Sequence, residues 1–226
     1  MASFYISEIF DSIDGEGKRT GYMATFIRLT GCNLRCSYCD TIYALDREKD
    51  AVEVLSENEL YSRIKAYPWK RLTFTGGEPL LHPLINLLNR LGQEGYESNI
   101  ETNGSVPLLE EKLDGRRPDN VFYTMDIKSL SSGMSQQMHW DNMKWLGPKD
   151  VVKFVVSGDK DLDQMKKVID EYQLGGEGHP LVYVSPVFGA IEPKSLVDYV
   201  KAHQLANVCV QVQLHKVIWD PTMRGV

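Results

Sequence analysis

Short stretches with the pattern of β-strands alternate with amphipathic helical stretches along most of the chain. The predicted strands are residues 4–10, 22–29, 71–75, 96–101, 121–126, 151–156, 181–184 and 208–214. One helical pattern follows Ser56 and Glu59, a capping-box pair, and another carries leucines at positions 84, 87, 88 and 91. Such alternation indicates parallel βαβ units. About six parallel strands with short accessory elements cannot close an eight-stranded barrel, so we expect an open partial (β/α) barrel forming a single domain over residues 1–226.

Clusters of polar and glycine residues lie just beyond the predicted strands. They occupy residues 12–17, 31–40, 76–79, 101–104, 126–129 and 185–186. In parallel α/β folds the carboxyl ends of the strands share one edge, and ligands bind there. The sequence therefore predicts a single functional site at this edge.

Three cysteines, Cys32, Cys36 and Cys39, stand close together in the loop after the second predicted strand. Cysteine thiolates hold iron–sulfur clusters, usually four at a time, so three would leave one iron open to an exchangeable ligand. Two other interpretations stay open from the residues alone. The cysteines could help to hold a structural zinc ion with a distant ligand, or they could be ordinary buried thiols.

The overall composition narrows the classes of protein and of partner. There are 25 basic and 31 acidic residues, and the net charge of −6 argues against a broad nucleic-acid interface. No apolar run approaches the roughly 18 residues of a membrane-spanning helix. The first residues lack the basic start of a secretory signal, so we expect a cytoplasmic protein whose thiols stay reduced.

We also make predictions for one long loop, for the fourth cysteine and for two histidines. Residues 128–148, rich in Ser, Met and Trp, are predicted either to form a lid over the site or to cover core surface. Cys209 lies between two valines and is predicted to be a small buried hydrophobic residue. His82 and His215 are predicted to be structural or capping residues.

The spacing C-x3-C-x2-C followed by Asp40, together with Gly-Gly-Glu-Pro at 76–79, resembles the radical S-adenosylmethionine (SAM) family. The resemblance implies a [4Fe-4S] cluster on Cys32, Cys36 and Cys39, whose open iron binds SAM and whose electron cleaves it to a 5′-deoxyadenosyl radical. It assigns further contacts with SAM to Tyr38, Cys39, Asp40, Gly77, Glu78, Glu101, Asn103, Asp126, Ile127 and Lys128.

Four further segments resemble the 7-carboxy-7-deazaguanine synthase family within those enzymes. They are residues 12–17, 28–34, 39–44 and 219–226, which together span the chain. This resemblance implies a carbon–nitrogen lyase of the queuosine pathway, which contracts the ring of 6-carboxy-5,6,7,8-tetrahydropterin with loss of ammonia. It also implies a homodimer and reduction by a flavodoxin or ferredoxin.

The same resemblance implies a substrate site and a magnesium site. The substrate residues would be Ile13, Asp14, Gly15, Glu16, Arg28, Thr75 and Pro221, and Thr41 would bind Mg²⁺. A guanidinium such as that of Arg28 binds a carboxylate through two parallel hydrogen bonds. Many members have Gln in place of Asp14 and Ser-Pro-Lys in place of residues 126–128, which puts the side-chain contact at position 14 and the mode of SAM binding in question.

Two alternative functions belong to other classes. An activating enzyme that forms a glycyl radical on a partner protein shares the cysteine spacing and the small size. A zinc or iron–sulfur module without catalytic activity would share only the metal ligands.

Overall fold

A computed structural model describes residues 2–113 and 115–226. Within them the strands form one nine-stranded sheet, in the order β3-β1-β2-β4-β5-β6-β7-β8-β9. The strands are β1 (Ser3–Ile13), β2 (Met23–Leu29), β3 (Glu53–Ser56), β4 (Arg71–Gly76), β5 (Glu97–Thr102), β6 (Val121–Ile127), β7 (Val151–Val156), β8 (Leu181–Pro186) and β9 (Val208–Val210). The helices are α1 (Glu57–Lys65), α2 (Ile85–Gln93), α3 (Leu109–Lys112), α4 (Asp159–Tyr172), α5 (Pro193–Ala202) and α6 (His215–Ile218).

The sheet is parallel from β2 through β4 to β9, and β3 and β9 form its two edges. This arrangement confirms the predicted α/β fold with an open sheet. β1 differs from the prediction because it runs antiparallel to both β2 and β3, and β3 itself was not predicted. Both differences lie before β4. Only one turn of 3-10 helix, Gly17–Arg19, separates β1 from β2, and so short a connection permits an antiparallel pair.

The longer helices, among them α1, α2 and α4, cover one face of the sheet and bury its apolar residues. Leu84, Leu87, Leu88 and Leu91 are fully buried, as the leucine stripe predicts. Each buried leucine contributes roughly 2 kcal/mol, so the stripe fixes α2 against the sheet. The predicted capping box of α1 is also present, with Ser56 and Glu59 bonded to each other's backbone.

The other face of the sheet carries the polar residues, because successive side chains of a strand point to opposite faces. In β7, Val152, Phe154 and Val156 pack in the helix-side cluster, whereas Lys153 and Val155 line a cleft on the opposite face. β6 follows the same alternation, since Met125 and Ile127 face the helices and Asp126 faces the cleft.

Residues 128–148 agree with the alternative that they cover core surface, since Met138, Met143 and Leu146 pack in or against a core cluster. Ser131 and Ser132 accept hydrogen bonds from Ser37 of the cysteine loop through their carbonyls. The segment forms three short 3-10 helices, Leu130–Ser132, Ser135–Gln137 and Trp140–Trp145. Asn142 is fully buried, accepts a hydrogen bond from the Leu108 N–H and donates to the carbonyls of Gly104 and Val106. Of this segment, only Lys128 lines the cleft.

The predictions for the last strand and for Cys209 were wrong in part. β9 ends at Val210 instead of residue 214, because the chain then leaves the sheet and the Gln211 side chain accepts a hydrogen bond from the Gly17 N–H. Cys209 is exposed because β9 is a short edge strand. No helix among the described residues is both long enough and apolar enough to cross a membrane.

A buried ion pair at the opposite end of the strands gives a test of the fold. Asp150 is fully buried and accepts two hydrogen bonds from Arg117 and one from the Tyr123 N–H. Asp150→Ala removes one of the two carboxylates that pair with Arg117, the other being Glu110 at 3.1 Å, and it removes the acceptor of the buried Tyr123 N–H. We expect it to lower the free energy of unfolding by about 2–4 kcal/mol. Urea unfolding of the variant measures the loss.

The matched control is Asp198→Ala on the exposed face of α5. Asp198 pairs with Lys194 one helical turn away, and both side chains are largely exposed. An exposed pair of this spacing is worth only about 0.5 kcal/mol. Equal losses in the two variants would contradict the assigned role of Asp150.

Candidate active site

A cleft opens at the carboxyl ends of the parallel strands, as the positions of the polar clusters predict. It is lined by most of the predicted site residues, namely Ile13, Gly15, Glu16, Arg28, Cys32, Cys36, Tyr38, Cys39, Asp40, Thr41, Thr75, Gly77, Glu101, Asn103, Asp126, Lys128 and Pro221. The predicted cofactor and substrate residues therefore share one cavity. Asp14, Glu78 and Ile127 do not line it.

Asp14 lies beneath the loop that follows β1, with its side chain directed away from the cleft. Its carboxylate is 2% exposed and accepts hydrogen bonds from Arg19 Nε at 2.8 Å and from the Thr73 hydroxyl at 2.7 Å. Burial raises the pKa of Asp14 to about 6, although the Arg19 guanidinium opposes the shift. The contacts of Asp14 therefore hold the loop in place.

Glu78 and Ile127 also support the cleft from behind. Glu78 is fully buried, and its carboxylate accepts hydrogen bonds from the Leu80 N–H, the Thr102 hydroxyl and the Asn103 N–H. Burial raises the pKa of Glu78. Its contacts link the turn after β4 to the end of β5, while Ile127 faces the helix-side core.

The cysteine loop presents three free thiols to the cleft. Cys32 Sγ accepts hydrogen bonds from the Leu34 N–H at 3.4 Å and from Asn103 Nδ2 at 3.6 Å. Such donors favour a thiolate or a metal-bound sulfur. Burial raises the pKa of Cys36 and Cys39, and the Lys128 ammonium nearby counteracts this shift.

This donor set fits a [4Fe-4S] cluster. Cysteines that hold a cubane bind separate irons, so they need not converge as closely as the ligands of one zinc ion. Among the described residues, no three His, Cys, Asp or Glu side chains converge on the position of a single metal ion. Cys209, on β9, is not among the residues that line the cleft.

Gly77 brings the turn after β4 against the backbone of the cysteine loop. Its N–H donates to the Leu29 carbonyl, and the Glu78 N–H donates to the Gly31 carbonyl, each at 2.8 Å. A Cβ atom at position 77 would lie 2.2 Å from the Gly31 carbonyl oxygen. Only glycine permits this approach, which leaves the turn's backbone open to a ligand.

Buried lysines neutralise the acidic residues of the cleft floor. Lys128 Nζ pairs with Asp126 Oδ2 at 2.7 Å, and Lys153 Nζ pairs with Glu16 Oε2 at 3.0 Å. Glu101 accepts a hydrogen bond from the Thr75 hydroxyl at 2.8 Å. Although burial alone would lower the pKa of both lysines, their carboxylate partners raise it, so both remain charged.

Arg28 also lines the cleft, and its side chain is surrounded by one acidic and two aromatic side chains. Its Nε donates to Glu8 Oε1 at 2.9 Å, and its guanidinium carbon lies 5.7 Å from the Phe10 ring centroid and 5.8 Å from that of Tyr43. The Tyr43 hydroxyl donates to the same oxygen of Glu8. These contacts hold a cation that faces the cleft.

The C-terminal segment closes one side of the cleft. Lys216, in α6, pairs with Asp40 at 3.1 Å, and the Arg224 guanidinium lies 3.5 Å from the Tyr43 ring centroid. His215 also lines the cleft, although its sequence position suggested a structural or capping residue. A Cβ atom on Gly15 would lie 2.1 Å from His215 Nδ1, which shows how closely the histidine packs on the 12–17 loop.

Several other residues at the cleft, besides His215, were not predicted from the sequence. They are Glu8, Tyr43, Lys153, Gln213 and Lys216, of which Glu8 contacts Arg28 and the other four line the cavity. One signal was available, because Lys153 is the only charged residue in the apolar run Val151–Val156. His82, by contrast, is buried and bonded to the Thr30 carbonyl, in agreement with a structural role.

Comparisons with known proteins agree with this geometry. The family model described as the Radical SAM superfamily matches residues 26–173. A 7-carboxy-7-deazaguanine synthase of Clostridium acetobutylicum is 44% identical over 99% of this chain and 100% of that protein. One of Koribacter versatilis, named in the same way, is 32% identical over 98% and 99% of the two chains.

Solved structures show the same fold. The crystal structure of QueE from Escherichia coli superimposes with a TM-score of 0.74 at 23% identity, covering 94% of this chain and 95% of that one. Streptococcus suis SuiB bound to S-adenosylmethionine gives a TM-score of 0.56 at 15% identity over 80% of this chain and 48% of that one.

The chain is therefore a member of the radical SAM superfamily, whose members use SAM and a [4Fe-4S] cluster. The identities of 44% and 32% over nearly the full length of both chains also place it in one family of that superfamily. Within the superfamily it belongs to the 7-carboxy-7-deazaguanine synthase family.

The close approach at Gly77 predicts a sensitive position for substitution. Gly77→Ala forces the turn and the cysteine loop apart, and we expect it to lower the free energy of unfolding by about 1–3 kcal/mol and to reduce the iron bound per chain. Gly147→Ala is the matched control because nothing lies within 4 Å of a Cβ atom at that position. Iron analysis and thermal unfolding compare the two; full iron content in Gly77→Ala would contradict the assigned contact.

Proposed function

We propose that this protein is a 7-carboxy-7-deazaguanine synthase. It converts 6-carboxy-5,6,7,8-tetrahydropterin to 7-carboxy-7-deazaguanine, contracting the six-membered ring with loss of one nitrogen as ammonia. The observation that carries the proposal is the convergence on one cleft of the cysteine loop, the SAM-side residues of β4 to β6 and the 12–17 loop.

The cofactor end of the cleft is formed by the cysteines and the ends of the central strands. A cluster with SAM, when bound, supplies the one-electron chemistry that removes a hydrogen atom from the substrate. Cys32, Cys36 and Cys39 would hold the cluster, while the Gly77 backbone and Lys128 would hold the amino and carboxylate groups of SAM. Carboxylates such as Glu101 and Asp126 accept hydrogen bonds from ribose hydroxyls.

The remaining predicted SAM contacts surround the same end of the cleft. Tyr38, whose hydroxyl is 2.7 Å from Ser129 Oγ, stands between Cys36 and Cys39, and Asp40 follows them. Asn103 already donates to Cys32 Sγ. Glu78 and Ile127 would contribute through their backbone, because their side chains face away.

The substrate end is formed by the 12–17 loop and Arg28. The polar groups of Ile13, Gly15 and Glu16 would bind the N–H and carbonyl edge of the pterin. Arg28 would bind the substrate carboxylate, with Thr75 and Pro221 completing the walls. Asp14 would act through its contacts beneath the loop, since its side chain is paired with Arg19.

Three predictions about partners and location follow from the family resemblance. The electron donor that we propose is a flavodoxin or a ferredoxin, because the cluster must receive one electron at a time. The assembly that we propose is a homodimer, and the compartment is the cytoplasm.

Turnover under anaerobic conditions tests the proposal. Reduced protein with SAM should form the deazaguanine acid and ammonia from the carboxytetrahydropterin, whereas Cys32→Ala, Cys36→Ala and Cys39→Ala should each lose the cluster and the activity. Cys209→Ala is the matched control and should keep both, because Cys209 is exposed on the edge strand. Absence of product from protein with bound cluster and SAM would overturn the proposed function.

A magnesium site at Thr41 gives a separate test. We propose that the Thr41 hydroxyl, which donates to Asp40 Oδ1 at 2.9 Å, binds Mg²⁺ together with the substrate carboxylate and waters. Thr41→Val removes the oxygen at nearly constant volume, and we expect it to abolish stimulation of turnover by Mg²⁺, while Thr41→Ser keeps it. Equal stimulation of both variants would exclude this ligand.

A further inference from the structure

The two carboxylate oxygens of Glu16 have different environments. Oε2 accepts hydrogen bonds from Lys153 Nζ at 3.0 Å and from Gln213 Nε2 at 3.3 Å. Oε1 is buried and has no hydrogen-bond partner among the described residues. A buried acceptor without a partner is costly, so Oε1 is placed to receive a donor from a bound molecule.

Lys153 is an unusual residue for its position in the sheet. It lies in the middle of β7, where every side chain is buried, and its own exposure is 9%. An unpaired ammonium there would be strongly unfavourable. Its cross-strand neighbour Asp126 is already paired with Lys128, so Glu16 is the carboxylate that Lys153 contacts.

Glu16 and Lys153 each stabilise the charged form of the other. Burial alone would raise the pKa of Glu16, but the Lys153 ammonium acts together with the nearby Ser185 hydroxyl and Gln213 amide to outweigh burial, and the pKa is lowered. The carboxylate is therefore ionised and can only accept hydrogen bonds. It thus selects for N–H or O–H donors at Oε1.

The backbone on either side of Glu16 is also held by residues from the C-terminal part of the chain. Gln211 accepts a hydrogen bond from the Gly17 N–H at 2.8 Å, and the Leu214 N–H donates to the Gly15 carbonyl at 3.0 Å. The residues before and after Glu16 are thus fixed by backbone hydrogen bonds, and Lys153 binds the Glu16 side chain. Without the ammonium, Oε2 would keep only the longer hydrogen bond from Gln213 Nε2, at 3.3 Å, and the carboxylate would be held less firmly.

We infer that Lys153 is a positioning residue for substrate: its ammonium occupies Oε2 of Glu16, so that Oε1 accepts a hydrogen bond from the amino-pyrimidine N–H edge of the pterin. This inference rests on the proposed function. It assigns to Lys153 no contact with the reacting atoms. The two oxygens of Glu16 thus have different roles: Oε2 binds Lys153 within the protein, and Oε1 binds the substrate.

A double-mutant cycle in the holoenzyme tests the inference. Lys153→Met removes the charge and keeps the length of the side chain, and Glu16→Gln removes the charge of its partner. We expect Lys153→Met to raise the KM for the pterin by about 10- to 100-fold, the range for a lost hydrogen bond to a charged group, with iron content and SAM binding unchanged. In the Glu16→Gln background the same substitution should change KM by less than about threefold, because the effect passes through Glu16.

The cycle also covers the case in which Lys153→Met fails to fold. Lys153→Met with Glu16→Gln leaves no unpaired charge, so the double variant folds, and Gln213→Leu removes the other donor to Oε2 with Lys153 in place. A smaller rise in KM in Gln213→Leu, with kcat unchanged, supports the inference. Independent effects of Lys153→Met and Glu16→Gln, or an unchanged KM in a folded Lys153→Met variant, overturn it.

Binding of 6-carboxypterin, a stable oxidised probe, separates the two proposals. If wild-type protein forms no product, the proposed function fails. If wild-type protein turns over and Lys153→Met binds the probe as tightly as wild type does, the inference about Lys153 fails alone. An analogue without the 2-amino group should bind wild type and Lys153→Met equally.

Discussion

The contact of backbone against backbone between the cysteine loop and the turn after β4 fixes the geometry of the cleft. Two hydrogen bonds continue the pairing of β2 with β4 beyond the strand ends, from Gly77 to Leu29 and from Glu78 to Gly31. A side chain at Gly76 or Gly77 would collide with carbonyl oxygens at 2.2 Å. The cysteine loop and the turn that faces it are therefore joined through their backbones, as a continuation of the sheet.

The polar cleft floor is stable because each buried charge has a partner. Glu16 pairs with Lys153, Asp126 pairs with Lys128, and Glu78 receives backbone and hydroxyl donors. A buried ion pair adds little to stability, since desolvation offsets the attraction. Its value here is preorganisation, because Glu16 Oε1 and Asp126 Oδ1 are buried with no hydrogen-bond partner in the described part of the chain and can receive donors from ligands.

Much of this arrangement could be predicted from local sequence patterns. The leucine stripe of α2, the capping box at Ser56 and the polar residues at the strand ends depend on positions close together in the chain. The roles of His215 and Gln213 could not be predicted in this way, because they arise from contacts with residues about 200 positions earlier. The burial of Lys153 was predictable in principle, since a single charge in an apolar strand requires a partner. The exposure of Cys209 depends on β9 being the sheet edge, which only the topology reveals.

The contacts from Gly17 to Gln211 and from Glu16 to Gln213 join residues 194 and 197 positions apart. Closing so long a loop costs conformational entropy and slows the formation of such contacts, whereas Cys32, Cys36 and Cys39 lie in a short local segment. The cysteine loop can thus order from contacts close in sequence, whereas the opposite floor of the cavity forms only after the two ends of the chain have met.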